Sequence, residues 1–390
     1  IESDIRKIVD VGYGDDDTVE IARYFDGNMF AKIEDRVPLL TASSSDAYFE
    51  FINPLVFSQF GLGFEIPLTS DGRKQSATSA TITLTDYFDA DNKYEIEISG
   101  RNGRYAATIG GESHSLDSDW NGAKVSIKIS GGILLIGTRN IETVNKFAGD
   151  LCFMSVKFDG VSSGFNVKVR EICNQSLTTV SAASTKVSDV AAPYVYAKLP
   201  DEVGSLGQEI IIGKPYAADV LSPSSYKKLS VTVLKSGAYG DAPAKDVNGR
   251  ELSGITDFES EIRLVLDDYG EYTIYYNYTD GRGNGRGTSL LYRIVTVVDI
   301  ESPVLNLENE GKTVNVKVGE TFKPKFTATD NFTADEDLLV YYIVKDSNEN
   351  FVVITTSDIT ITKAGKYTII VYVVDETYNG VSKSYYVNAK

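Results

Sequence analysis

Histidine, tryptophan, methionine and cysteine are nearly missing from this 390-residue chain, which has one, one, two and two of them. The single histidine, His114 in GGESHSL, has no neighbouring Cys or acid in a triad-like setting, so nucleophile–base–acid catalysis has no visible partners. Neither G-x-S-x-G, H-E-x-x-H nor a phosphate-cradling glycine loop occurs. Cys152 and Cys173 are too few for a disulfide scaffold and lack metal-ligand spacing. Apolar runs such as Gly132 to Ile136 fall far short of a bilayer span, so a membrane-embedded protein is not expected. Basic residues are outnumbered, 38 Lys and Arg against 55 Asp and Glu, for a net charge of -17 and a pI near 4.6. Without a basic cluster a nucleic-acid partner is excluded, while a soluble surface protein or a cation binder fits. There is no charged-then-apolar leader, and the first residue is Ile; a processed form, or a piece of a larger multidomain protein, is expected.

A helical stripe is also missing, although Asp4 to Val11 and Ile141 to Phe147 would each suit a short helical turn. What is present is a period of two. Lys93 to Ser99, Lys124 to Ser130 and Phe165 to Val169 alternate polar and apolar residues, with turns such as Asn102-Gly103 and Asp159-Gly160 between strands. Half-buried antiparallel strands in a two-sheet sandwich follow from that pattern. In LCFMSVKF and FNVKVREIC the alternation places Cys152 and Cys173 on the apolar side. Two readings stand: buried free thiols, or a cross-strand disulfide if these strands form a hairpin across DGVSSG.

The C-terminal half holds one constellation twice. The first copy has Asp189, Pro193 and Asp219, then Gly270-Glu-Tyr272-Thr-Ile274, Asp280 and Asn284; the second has Asp299, Pro303 and Asp330, then Gly365-Lys-Tyr367-Thr-Ile369, Asp375 and Asn379. The Asp-to-Pro, Gly-to-Asp and Asp-to-Asn intervals agree, which marks two copies of one module. Each proline fits an edge strand entering a new sheet. The small polar stretch Leu177 to Ser188 reads as a linker. Three all-β domains are expected: 1–187, 188–298 and 299–390.

YGEYTIYYNYTDGRGN (Tyr269 to Asn284) and AGKYTIIVYVVDETYN (Ala364 to Asn379) resemble the penultimate strand and following loop of bacterial surface immunoglobulin-like modules of the PKD, HYR and cadherin-like group. The resemblance implies two tandem immunoglobulin-like sandwiches used as spacers, adhesins or enzyme accessories, with Tyr272 and Tyr367 bonding nearby backbone as structural corners. Phe147-Ala-Gly-Asp-Leu151, FMSVKFDG and FNVKVREI are similar to the closing strands of concanavalin-like or laminin-G-like jelly rolls. That resemblance implies an N-terminal head binding a glycan or a protein surface, often with calcium, and marks Asp150 as a calcium position.

On the immunoglobulin plan the entering linker and two loops share one pole of the sandwich, which gathers Asp299, Glu301, Asp330, Asn331, Asp375 and Asn379 in the second copy. The first copy gathers Asp189, Asp219, Asp280 and Asn284 in the same way. Carboxylate and amide oxygens in such number suit Ca²⁺; the competing reading is that each Asp or Asn caps its own turn. Asp89-Ala-Asp91-Asn92 opens like a calcium loop but lacks its glycine and glutamate, so a hairpin turn is expected. Glu95 and Glu97 share a face, yet the third carboxylate of an E-x-D-x-x-E glycanase strand is Gly100, and they read as solvated. Trp120 in LDSDWNGAK and Tyr105 in RNGRYAAT are the candidates for stacking on a sugar, against a core role for each. The resulting expectation is a non-catalytic protein of the extracellular space or bacterial cell surface, with a head for a glycan or host or cell-surface ligand on a two-module stalk. Two alternatives are an accessory carbohydrate-binding and spacer segment of a large secreted glycoside hydrolase or protease, and a phage fibre or capsid-decoration protein.

Overall fold

The computed structural model describes residues 18–75, 77–101, 104–116, 124–145, 147–191, 193–221, 228–236, 240–279 and 290–390. The chain is all-β. Its N-terminal part is a sandwich whose first sheet runs Glu112–Leu116, Arg104–Ile109, Lys93–Arg101, Ser79–Asp86, Leu151–Asp159, Ala47–Val56, Phe25–Gly27. The second runs Arg139–Thr143, Ile133–Ile136, Lys124–Ser130, Gly61–Glu65, Asn166–Ile172, Val37–Ala42, Met29–Glu34. Alternation explains the core: Ile96 and Ile98 are buried while Glu95 between the strands' polar positions is exposed. The Asp4 to Val11 turn lies outside the described residues. Ile141 to Phe147 is not helical where described, because Ile141 to Thr143 completes the strand Arg139–Thr143.

Two expectations about the N-terminal part are corrected. Leu151–Asp159 and Asn166–Ile172 lie in different sheets, so the connection at Asp159-Gly160 crosses the sandwich and forms no hairpin. Alternation is blind to that distinction, since either path keeps the apolar side inward. Both cysteines are free thiols; burial pushes Cys173 up to about 12 and Cys152 well above its ordinary value. Leu177 to Ser188 is no linker either. Leu177, Thr179 and Val187 are buried, and Lys186–Ser188 pairs with Thr18–Glu20, so its apolar residues fasten it to the sandwich.

The two repeats have one topology. In the middle sandwich Tyr194–Tyr196 pairs Tyr216–Ala218, Glu209–Ile212 pairs Ile262–Val265, and a five-stranded sheet runs Val203–Gly204, Leu290–Val297, Gly270–Thr279, Lys228–Lys235, Ala242–Pro243. In the C-terminal sandwich the corresponding pairs are Val304–Leu307 with Phe326–Thr329 and Thr321–Phe322 with Ile359–Thr360. Its five strands run Thr313–Val316, Gly380–Ala389, Gly365–Val374, Leu339–Asp346, Phe351–Thr355. In both, the first strand of the larger sheet joins the last strand in parallel. Gly270 and Gly365 open equivalent strands with φ of 112° and 155°, a conformation that favours glycine. The corner tyrosines take the structural role expected of them. Tyr272 donates to Asp267 Oδ1 at 2.7 Å and accepts the Asp268 N–H at 3.0 Å, and Tyr367 donates to the Lys363 carbonyl at 3.0 Å.

The N-terminal and middle parts meet through apolar packing. Val220 and Leu221, which follow the strand Tyr216–Ala218, belong to the N-terminal core. Tyr24 donates to the Leu221 carbonyl, and Asn53 Nδ2 to the Val220 carbonyl at 2.9 Å. Beside them Val56, Leu151 and Ala218 pack with Tyr87, Tyr194, Tyr196 and Tyr216.

Candidate cation site at the second joint

The segment Val298 to Pro303 joins the last strand of the middle sandwich to the first of the C-terminal one. Asp299 lies on it, Asp330 follows the strand Phe326–Thr329, and Asp375 follows Gly365–Val374. One oxygen from each carboxylate lies within 4.8 Å of the others. Asp299 is 5% exposed and Asp375 1%. Among the described residues no Lys or Arg is in ion-pair contact with any of the three. Three like charges at such spacing repel by roughly 3 kcal/mol per pair at an effective dielectric near 20.

Turn chemistry explains half of this arrangement. Asp299 Oδ1 accepts the Glu301 N–H at 3.1 Å. Asp330 Oδ2 accepts the N–H groups of Phe332 and Thr333, both at 2.9 Å. Asp375 Oδ1 accepts those of Thr377 and Asn379, both at 2.8 Å. Burial works to raise the Asp375 carboxyl, but bonds from Asn379 and Thr377 outweigh it and hold the group below its ordinary value. The other oxygens of Asp299 and Asp330, Oδ2 and Oδ1, are buried with no hydrogen-bond partner among the described residues. A buried carboxylate oxygen with no donor carries a full desolvation cost. Capping alone leaves these two atoms unexplained; a hard divalent cation, which takes oxygen ligands, fits them.

The other residues expected here have different roles. Asn331 Nδ2 donates to Asp299 Oδ1 at 3.2 Å, and Asn379 Nδ2 to the Asp299 carbonyl at 3.1 Å and to Asp375 Oδ2 at 2.9 Å. Through their Nδ2 atoms they brace Asp299 and Asp375 as donors. Glu301 contributes its N–H to Asp299 and is exposed, outside the three-carboxylate group. Asp150 lies apart from this group, at the other joint. Its carboxylate accepts the Ser58 N–H at 2.8 Å, the Ser58 hydroxyl at 2.6 Å and the Tyr194 hydroxyl at 3.3 Å, which makes it a structural acceptor. In the first repeat Asp189 and Asp219 are buried, while Asp280 and Asn284 lie outside the described residues. Asp89 to Asn92 is a hairpin turn: Asp89 Oδ1 accepts the Asp91 N–H at 3.0 Å.

Of the two sugar-surface candidates only Tyr105 lies among the described residues; Trp120 lies outside them. Tyr105 is 9% exposed in the N-terminal core, its ring laid over its cross-strand partner Gly100, and offers no open face. A Gly opposite an aromatic was the signal for that packing. What sequence reasoning missed is a shallow depression of about 340 Å³ on the outer face of the first sheet, lined by Tyr48, Glu50, Thr81, Thr83, Glu95, Ser155, Val156, Lys157 and Asp159. Tyr48 is 38% exposed there. Hydroxyls and carboxylates beside an accessible ring are the groups that grip and stack a pyranose.

No protein-family model and no curated protein matches this chain. Among solved structures it is similar to the fibronectin(III)-like modules of Clostridium thermocellum CbhA, with 15% identity over 51% of this chain and 94% of that one, TM-score 0.22. It is also similar to the carbohydrate-binding module CBM66 from Bacillus subtilis, with 8% identity over 38% of this chain and 93% of that one, TM-score 0.25. Three N-terminal domains of the bacteriophage RB49 highly immunogenic outer capsid protein match at 8% identity over 93% of this chain and 99% of that one, TM-score 0.24. Likenesses at these scores carry no inference about ligand or activity.

Proposed function

We propose that this chain is a non-catalytic extracellular binding protein. In this reading residues 1–187 form a jelly-roll head that recognises a glycan or another cell-surface ligand, and the two following sandwiches form a spacer whose second joint is set by Ca²⁺. The observation that carries it is the pair of buried, donorless carboxylate oxygens of Asp299 and Asp330, two members of the three-carboxylate group completed by Asp375 at the joint between two sandwiches. Asp299, Asp330 and Asp375 would hold the ion, with water completing the six to eight oxygens that Ca²⁺ takes. A bound ion would offset the mutual repulsion of the three carboxylates, and Asn331 and Asn379 would keep Asp299 in place. On the head, the depression around Tyr48 and Glu95 supports recognition of a sugar by stacking and hydroxyl bonding.

Two measurements test this. Calorimetric titration of the full chain with Ca²⁺ is expected to show one saturable site lost in Asp330→Asn. At a hundredfold excess over Kd the ion adds about 2.7 kcal/mol to unfolding free energy. A melting temperature indifferent to chelator refutes the ion. Glycan-array binding that disappears in Tyr48→Ala is expected; absence of binding to every glycan refutes sugar recognition.

A further inference from the structure

We infer that cation binding at the second joint requires the middle and C-terminal sandwiches to be docked, with Tyr269 as the positioning residue; this rests on the Ca²⁺ reading above. Tyr269 belongs to the middle sandwich, directly before the strand Gly270–Thr279. Its hydroxyl accepts Asn331 Nδ2 at 2.8 Å, and its ring packs on Phe332 with centroids 4.5 Å apart. The same Asn331 nitrogen donates to Asp299 Oδ1 at 3.2 Å. One amide therefore spans a carboxylate of the site and a phenol of the neighbouring sandwich, using one N–H for each.

Asp330, Asn331 and Phe332 are consecutive, so a ligand, a bridge and a ring contact travel as one unit. Asp330 Oδ2 bonds the Phe332 and Thr333 N–H groups, both at 2.9 Å, which fixes that unit internally. Asp299, by contrast, is tied through the chain to the last strand of the middle sandwich. A bend that carries Asp299 away with the middle sandwich breaks its bonds from Asn331 and Asn379 and parts it from Asp330 and Asp375, in the same movement that breaks the contact with Tyr269. Ion and docking are then reciprocal: whatever weakens one weakens the other by the same factor.

Ca²⁺ titration calorimetry of the full chain, with small-angle scattering on the same samples, tests the coupling. Tyr269→Ala and Phe332→Ala are expected to raise the Ca²⁺ Kd roughly 5- to 150-fold, the usual span of such couplings, and to leave a bent, wider distribution of shapes at low Ca²⁺. Tyr269→Phe keeps the ring and loses the phenol bond, so its Kd is expected between wild type and Tyr269→Ala. Circular dichroism checks that each variant is folded. A residue that only stabilises the fold would lower the melting temperature and leave Kd alone. An unchanged Kd in Tyr269→Ala overturns the coupling while leaving the Ca²⁺ site intact. Failure of the unaltered chain to bind Ca²⁺ overturns both.

Discussion

The two joints of this molecule are closed by opposite means. At the first, Leu221 is buried in the N-terminal core and the rings of Tyr87, Tyr194, Tyr196 and Tyr216 surround Val56, Leu151 and Ala218. At the second, three carboxylates converge and one ring pair, Tyr269 on Phe332, makes the aromatic contact. Buried apolar surface stabilises by roughly 25 cal/mol per Å² with little regard to ions or pH. Converging carboxylates respond to both. The first joint thus rests chiefly on packing, with the buried carboxylates of Asp150 and Asp219 bonded within it, while the second rests on a cluster of carboxylates.

The strongest way to break this contrast is Leu221→Ala. Truncating a fully buried leucine costs about 2–5 kcal/mol, and urea unfolding is expected to show that loss equally with and without Ca²⁺. A chelator-dependent loss would mean that the two joints are not independent. Acidification sharpens the contrast next. Because the Asp375 carboxyl is held below its ordinary value of 3.8, its contribution is fully present above 3.8 and is lost as pH falls through the lowered value. Thermal melts followed down through that window are expected to show the C-terminal sandwich weakening; an unchanged transition would deny Asp375 its bonds. The smallest effect is expected for Tyr194→Phe. It removes one bond to the Asp150 carboxylate at 3.3 Å, worth about 1 kcal/mol, and a larger loss by calorimetry would mean that Asp150 organises more of the first joint than its described bonds suggest.

How much was legible follows from which physics each feature uses. Asp299, Asp330 and Asp375 were gathered by laying the repeat on the immunoglobulin plan that its resemblance implied, in which the entering linker and two loops share one pole. The roles of Asn331 and Asn379 were not legible, since an amide offers oxygen and nitrogen alike and only geometry selects the donor. Tyr269 and Phe332 were missed because their contact joins two repeats, and a pattern internal to one repeat cannot display it. The same reason hid Val220 and Leu221, two apolar residues counted with the middle module that fill the core of its neighbour. Tyr105 was misread because its loop-like surroundings, RNGRY, concealed the Gly100 groove across the ladder.

The parallel pairing that closes each repeat has a mechanical side. In the C-terminal sandwich, Thr313–Val316 lies alongside Tyr386 to Ala389 in four-residue register, whereas in the middle one only Val203 and Gly204 pair with Thr296 and Val297. Tension drawn along such parallel neighbours loads their bonds sideways and together, so the longer patch is the stronger clasp. A steady pull on the two ends would therefore unravel the middle body before the last one gives way.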